Sequence, residues 1–353
     1  MNALVFDLGG TFLRGGVAVP DRKIEHISKS RIPNVAIGCP HDAIWNEIAN
    51  RIVAYEREHG RHVGPSAPIV IAFPGPVSGY RFAHQAATVA GSSKSHSDIA
   101  SVIEARTGRR VLLLNDVSAA AWRMAEITTA RRFLVVTVSS GIGSKMFVRE
   151  SGVLDDLPFG GEIGHIVVDH SHSSLICDCG AKGHLGAVAS GRGVERRARM
   201  RAADDASKFR ASKVFLKFRG TPQHLTNEQH LVPAILDGDP WALHVLRDCT
   251  LPLAQVLVLI AVAAGLDRVF VMGGFAQAIG KRYLDLLRAL ASHSSRFDVT
   301  QDRVDSMFDF APRGGEICLE GCLAFLRNAD RLGVSSGLVA VESDGAMQVA
   351  VET

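Results

Sequence analysis

Residues 160–186 read GGEIGHIVVDHSHSSLICDCGAKGHLG, and the rest of the chain is best read outward from this stretch. It joins a Glu162-Ile163-Gly164-His165 turn to Cys177-Asp178-Cys179-Gly180 and then to His184. Two thiolates one residue apart, with an imidazole on either side, supply the four nitrogen and sulfur ligands that a tetrahedral zinc ion takes. Cysteines this close in a cytosolic chain are more often metal ligands than a disulfide. The reading is a structural Zn2+ on His165, Cys177, Cys179 and His184, with His170 and His172 as substitutes for the fourth ligand. The plain alternative is a His-rich surface loop with two idle thiols.

A chain of 353 residues has room for two ordinary domains. With 47% hydrophobic and 21% charged residues it is globular rather than disordered. Net charge is 39 − 36 = +3, which implies no nucleic-acid or membrane field. The chain enters an apolar run at Ala3 with no basic leader, so a cytoplasmic protein is expected. The longest apolar run, Leu251 to Ala264, is too short for a bilayer and is interrupted by Gln255. The six cysteines (Cys39, Cys177, Cys179, Cys249, Cys318, Cys322) suit a reducing compartment. Cys318 and Cys322, one helical turn apart in an apolar stretch, read as core. The small-residue tail, 333–353, is expected to be partly disordered.

Residues 3–8 (ALVFDL) read as a buried strand that ends in Asp7-Leu8-Gly9-Gly10-Thr11, with a second strand from Gly15 to Val19. Glycine lets backbone N–H groups approach a phosphate, and Asp7 at the strand end suits a magnesium ion, directly or through water; a plain β-turn is the alternative. His41 to His59 has helical spacing at Ile44, Ile48, Ile52 and Tyr55. Pro68 to Phe73 is a strand ending in Pro74-Gly75-Pro76. Val111 to Leu114 is a strand delivering Asn115-Asp116 to a helix. Either residue caps a helix well, and a carboxylate held there also suits a general base for a bound alcohol. Arg132 to Val138 is a strand leading into Ser139-Ser140-Gly141-Ile142-Gly143. The Arg-rich helix Ala189 to Ala206 reads as a solvated face, residues 207–240 as a polar insertion, Pro240 to Gly265 as one or two buried helices, and Asp267 to Met272 as a strand ending in Gly273-Gly274.

In this order the motifs resemble the ROK proteins (repressors, open reading frames and kinases), whose kinases phosphorylate sugars with ATP. The resemblance rests on GEIGH followed by Cys-x-Cys-Gly-x-x-Gly, on Asp-x-Gly-Gly-Thr-x-x-Arg from Asp7 to Arg14, on the Pro-Gly-Pro turn, on Leu-Asn-Asp-Val-x-Ala-Ala at Asp116, and on the second glycine turn. It implies an α/β fold of two ribonuclease H-like (actin-like ATPase) domains with a cleft between them. The first would span 1–122, completed by the helix at 312–328, and the larger domain, 123–311, would carry the zinc loop. The cofactors implied are ATP, Mg2+ on Asp7, and the structural Zn2+. Gly9, Gly10, Thr11, Arg14, Ser140, Gly141 and Gly143 would hold phosphates, with Gly273 and Gly274 closing over adenosine. Asp116 would be the catalytic base, while Asn115, Glu162, His165 and Gly75 would bind the substrate. His165 would face zinc with one nitrogen and substrate with the other, so the metal would orient it. The resemblance also allows a homodimer.

The departures from the family pattern concern the acceptor. His184 stands where a third cysteine is usual and keeps a ligand. Gly186 replaces a glutamate that holds the sugar near its anomeric end, and 85–97 lacks the usual Asn-Leu-x-x-Trp-like wall. Lys145 and Asp155 replace small residues; Lys145 either points to solvent or reaches a phosphate or substrate. A buried hydroxyl left unpaired costs roughly 1–3 kcal/mol, so the favoured acceptor lacks an ordinary anomeric hydroxyl. A C7 cyclitol phosphorylated on its exocyclic CH2OH fits, as in cyclitol kinases of antibiotic pathways; a hexokinase making hexose 6-phosphate is the alternative. A catalytically silent sugar-binding protein is a remoter reading. A repressor is not expected, because the first phosphate loop begins at Asp7 and the near-neutral charge lacks a basic footprint.

Overall fold

The computed structural model describes residues 2–329 except 20–22, 35–37, 85, 92–97, 155–159, 172–173, 295–300 and 315. The tail at 333–353, Asp155, His172 and most of the altered wall segment lie outside the described residues.

Ala3–Leu8 (β1) is buried at all six positions, as an unbroken apolar run requires of a strand covered on both faces. It pairs antiparallel with Phe12–Ala18 (β2), which pairs antiparallel with Ile24–Arg31 (β3). β3 (IEHISKSR) is largely exposed, and its polar sequence hid it from a reading based on apolar runs. His41–His59 (α1) leads to Ile69–Phe73 (β4) and a small hairpin, Val77–Ser78 (β5) with Phe82–Ala83 (β6). Ala87–Ala90 (α2), Ile99–Thr107 (α3), Val111–Asn115 (β7) and Asp116–Ile127 (α4) follow. The first sheet has the order β3-β2-β1-β4-β7, with β1, β4 and β7 parallel.

The second half begins with Arg132–Val138 (β8), Ile142–Val148 (β9) and Gly152–Val153 (β10). Helices Leu185–Ala189 (α5), Gly191–Asp204 (α6), Ala206–Ala211 (α7), Lys213–Leu216 (α8), Val232–Leu236 (α9) and Pro240–Ala264 (α10) come next. The described part of the chain closes with Arg268–Met272 (β11), Gly274–Ile279 (α11), Lys281–Ser294 (α12), Gln301–Met307 (α13), Phe308–Phe310 (β12) and Ile317–Ala329 (α14). The second sheet, β10-β9-β8-β11-β12, repeats the first strand for strand, antiparallel across β10-β9-β8 and parallel across β8-β11-β12. The fold is therefore two ribonuclease H-like α/β units.

Three apolar clusters glue the layers. One face of the first sheet packs on α1 and α3. Its other face and one face of the second sheet share α4 and α14 as a common filling. The far face of the second sheet is covered by helices that include α6, α10 and α12. α4 is continuous through residue 122, so the boundary expected there falls inside a helix that both sheets share. α10 is a single helix where the sequence allowed one or two. Starting at Pro240 it runs 25 residues and ends at the left-handed Gly265, so by length and composition it could cross a bilayer. Its buried positions lie in the second unit's core, the place of a central helix in a globular domain. Residues 207–240, read as a polar insertion, form short helices.

Candidate active site

Parallel strands point their carboxyl ends the same way, so the loops after β1, β4, β7, β8 and β11 gather in one crevice, where open α/β sheets bind ligands. That crevice is a cavity of about 690 Å3. It is lined by Gly9, Gly10 and Thr11 after β1, Gly75 after β4, Asn115 and Asp116 at the end of β7, Ser140, Gly141 and Gly143 after β8, Gly273 after β11, and Glu162 and His165 from the GEIGH turn. Asp7, Arg14 and Gly274 do not line it. Arg14, expected among the phosphate ligands, instead faces Asp7 across the β1–β2 pair, with Nη1 2.8 Å from Asp7 Oδ2.

Asn115 and Asp116 divide the labour that the sequence left open. Asn115 is the N-cap of α4: its Oδ1 accepts from the backbone N–H groups of Val117 (3.0 Å) and Ser118 (3.2 Å). Its Nδ2 donates to Gly75 O at 3.0 Å and to Asp116 Oδ1 at 3.1 Å. The amide is thus fully used within the protein. Asn115, expected to bind ring hydroxyls, lines the cleft and ties the Pro-Gly-Pro turn to the carboxylate of Asp116. That carboxyl is raised to about 7, first by burial, then by the charges of Asp7 and Glu162. Burial raises Asp7 as well, against the opposing pull of Arg14.

The GEIGH turn is seated by backbone contact: a Cβ on Gly164 would stand 2.2 Å from Ile142 O, at the start of β9. The turn places His165 between two environments. Its Nδ1 lies 3.4 Å from His184 Nδ1 and 3.9 Å from Cys177 Sγ, and Cys179 Sγ is 3.3 Å from His184 Nδ1. Its Nε2 lies 4.0 Å from Glu162 Oε2 on the cleft side. Ligand atoms of His165, Cys177, Cys179 and His184 all fall within 4.8 Å of one another, and the two-sulfur, two-nitrogen donor set suits zinc. Among the described residues His184 occupies the fourth place and exposed His170 does not join it.

Three cleft residues had no role in the sequence reading, or an undecided one. Asn34 lines the cavity and donates from Nδ2 to Gly10 O at 2.8 Å. Lys145 is buried in β9 rather than solvated, and its Nζ donates to Gly160 O at 2.8 Å. Arg192 stands at the start of α6 and lines the cleft, so that helix is not only a solvated face. Its position just after the N-cap, Ser190, was the available signal.

The ROK family profile matches residues 4–304. The chain is 37% identical over 294 residues to a C(7)-cyclitol 7-kinase of Streptomyces hygroscopicus subsp. jinggangensis, covering 81% of this chain and 82% of that one. It is 28% identical over 296 residues to a 2-epi-5-epi-valiolone 7-kinase of an Actinoplanes species, covering 79% of each. A ROK family glucokinase from Streptomyces griseus, solved in complex with glucose and AMPPNP, superposes with a TM-score of 0.68 at 21% identity, over 91% of this chain and 98% of that one.

Proposed function

Because this chain belongs to the ROK family, we propose that it is an ATP-dependent kinase that phosphorylates the exocyclic primary hydroxyl of a C7 cyclitol. The observation that carries the reading is Asp116: a carboxyl poised at about 7 in a cleft between two glycine loops. A base near neutral pH takes a proton from a bound alcohol efficiently while staying largely ionised at slightly alkaline pH.

In this mechanism the loops at Gly9–Thr11 and Ser140–Gly143 hold the nucleotide's phosphates. The acceptor's CH2OH lies against Asp116, which takes the hydroxyl proton as the oxygen attacks the terminal phosphorus and ADP leaves. Positioning and charge neutralisation do most of the work in phosphoryl transfer. When bound, magnesium supplies charge neutralisation at the phosphates; Asp7, already paired with Arg14, suits holding it through water. Zinc on the four-ligand cluster would fix His165 so that Nε2 and Glu162 meet the ring hydroxyls. Antibiotic biosynthesis and a cytoplasmic setting, consistent with six free cysteines, belong to the same proposal.

Coupled ADP release on a C7 cyclitol, glucose, N-acetylmannosamine and fructose tests the reading. Turnover on the cyclitol with little on the hexoses is the expected result. Efficient turnover on glucose alone would replace it with a hexokinase.

A further inference from the structure

A second cavity, about 210 Å3, adjoins the cleft. The two share residues 140–142, His165 and Arg192 as walls; the side cavity alone is lined by Gly164, Cys177, Asp178, Cys179, Gly186 and Arg196, so it borders the metal cluster. Nothing fills it from residue 186, which has no side chain, and a Cβ there would stand 3.1 Å from Gly164 O, tighter than ordinary contact.

Beside the candidate zinc ligands His165, Cys177 and Cys179, its wall carries one carboxylate and two guanidinium groups. Asp178 Oδ2 accepts from Arg192 Nη1 at 2.6 Å, and Asp178 Oδ1 accepts from Arg196 Nη2 at 2.6 Å. Arg196 also donates to Ile176 O at 2.9 Å, whereas Asp178 is the one hydrogen-bonding partner of Arg192 among the described residues. A guanidinium carries five N–H donors in a fixed fork, so Arg192 presents unused donors at the junction of the two cavities. Those donors suit an oxygen acceptor. An ammonium is disfavoured, because two guanidinium groups against one carboxylate leave this wall net positive.

We infer that Arg192 is a specificity-determining residue, and that it donates from the side cavity to a ketone or hydroxyl oxygen on the ring of the acceptor. This rests on the kinase reading above and adds to it the substrate chemistry that the enzyme selects. The acceptor's reacting CH2OH meets Asp116, at the end of the first sheet's β7, while its recognised oxygen meets Arg192 at the start of α6 in the second unit.

The test uses the full-length protein, ATP, a keto-cyclitol, and a counterpart in which the ketone is CH2. Arg192→Ala is expected to raise KM for the ketone by about 10- to 100-fold while leaving KM for ATP within about twofold. Wild type should handle the CH2 compound as poorly as the variant does, and Arg192→Gln, which keeps an amide donor, should recover part of the loss. Equal losses on both acceptors, an unchanged KM for the ketone, or a rise confined to ATP would each overturn the inference. Should the alanine variant fail to fold, the glutamine variant carries the same comparison. Turnover by wild type on glucose but on neither cyclitol would instead remove the cyclitol reading on which the inference rests.

Discussion

Asn115 Nδ2 lies 3.1 Å from Asp116 Oδ1, while the Oδ1 of the same amide caps α4. One side chain therefore ends β7, starts α4 and sets the orientation of the carboxyl proposed as the base. Replacing Asn115 with alanine should cost about 1 kcal/mol of stability for the lost cap, read as a lower denaturant midpoint. It should also lower kcat more than it raises KM for the acceptor, because the carboxyl loses its orienting partner.

Asp116→Asn should reduce kcat by about 10²–10⁴-fold, the usual worth of a positioned general base. ATP binding, measured by titration calorimetry, should survive the change. Unchanged turnover would point to a role for Asp116 outside proton transfer.

The pH profile carries the same assignment in another form. Asp116 sits at about 7, so the ascending limb of log(kcat/KM) should fall near pH 7 rather than in the ordinary carboxylate range. The sign follows from the raised value: below pH 7 the carboxyl is protonated and cannot accept, and above it the base is available. Glu162 contributes to the elevation through its charge, so Glu162→Gln should move the limb to lower pH.

Elemental analysis should find one zinc per chain. Cys179→Ser should weaken metal retention by more than the roughly 10–100-fold that outer-shell partners are worth. The acceptor KM should rise with the loss, because His165 would then be free to turn. His184→Cys should retain the metal, since a thiolate replaces an imidazole in a tetrahedral set.

Gly321 is where α14 touches α4. A Cβ there would stand 1.8 Å from Ala119 O, so the helices meet backbone to backbone. Gly321→Ala should therefore force them apart and cost about 1–3 kcal/mol or more, the range for overpacked cores. Thermal unfolding is the readout. The strain also reaches the site, because α4 begins at Asp116.

The central strands are legible in the sequence, because β1, β4, β7 and β8 are short apolar runs that lead into glycine, proline or Asn-Asp punctuation. That His165, Cys177, Cys179 and His184 could come together was readable for a similar reason: ligand type and spacing are local. β3, β9 and β12 were not, since a polar edge strand, a strand holding a buried lysine and a three-residue strand carry weak periodicity of their own. Registers and side-chain partners lay further still from the sequence. That Arg14 pairs with Asp7 follows from the antiparallel register of β1 and β2. That Asn115 spends its whole amide inside the protein follows from the parallel register that sets Phe73 opposite it and brings Gly75 within reach. Arg192 looked solvated because helical spacing says nothing of what stands beyond a helix's first turn. The amino-acid order determined which local segments form and which chemistries they carry. Only the packing of two like sheets on α4 and α14 decided which of those groups share one cleft, because burial, register and charge proximity are properties of the assembled layers.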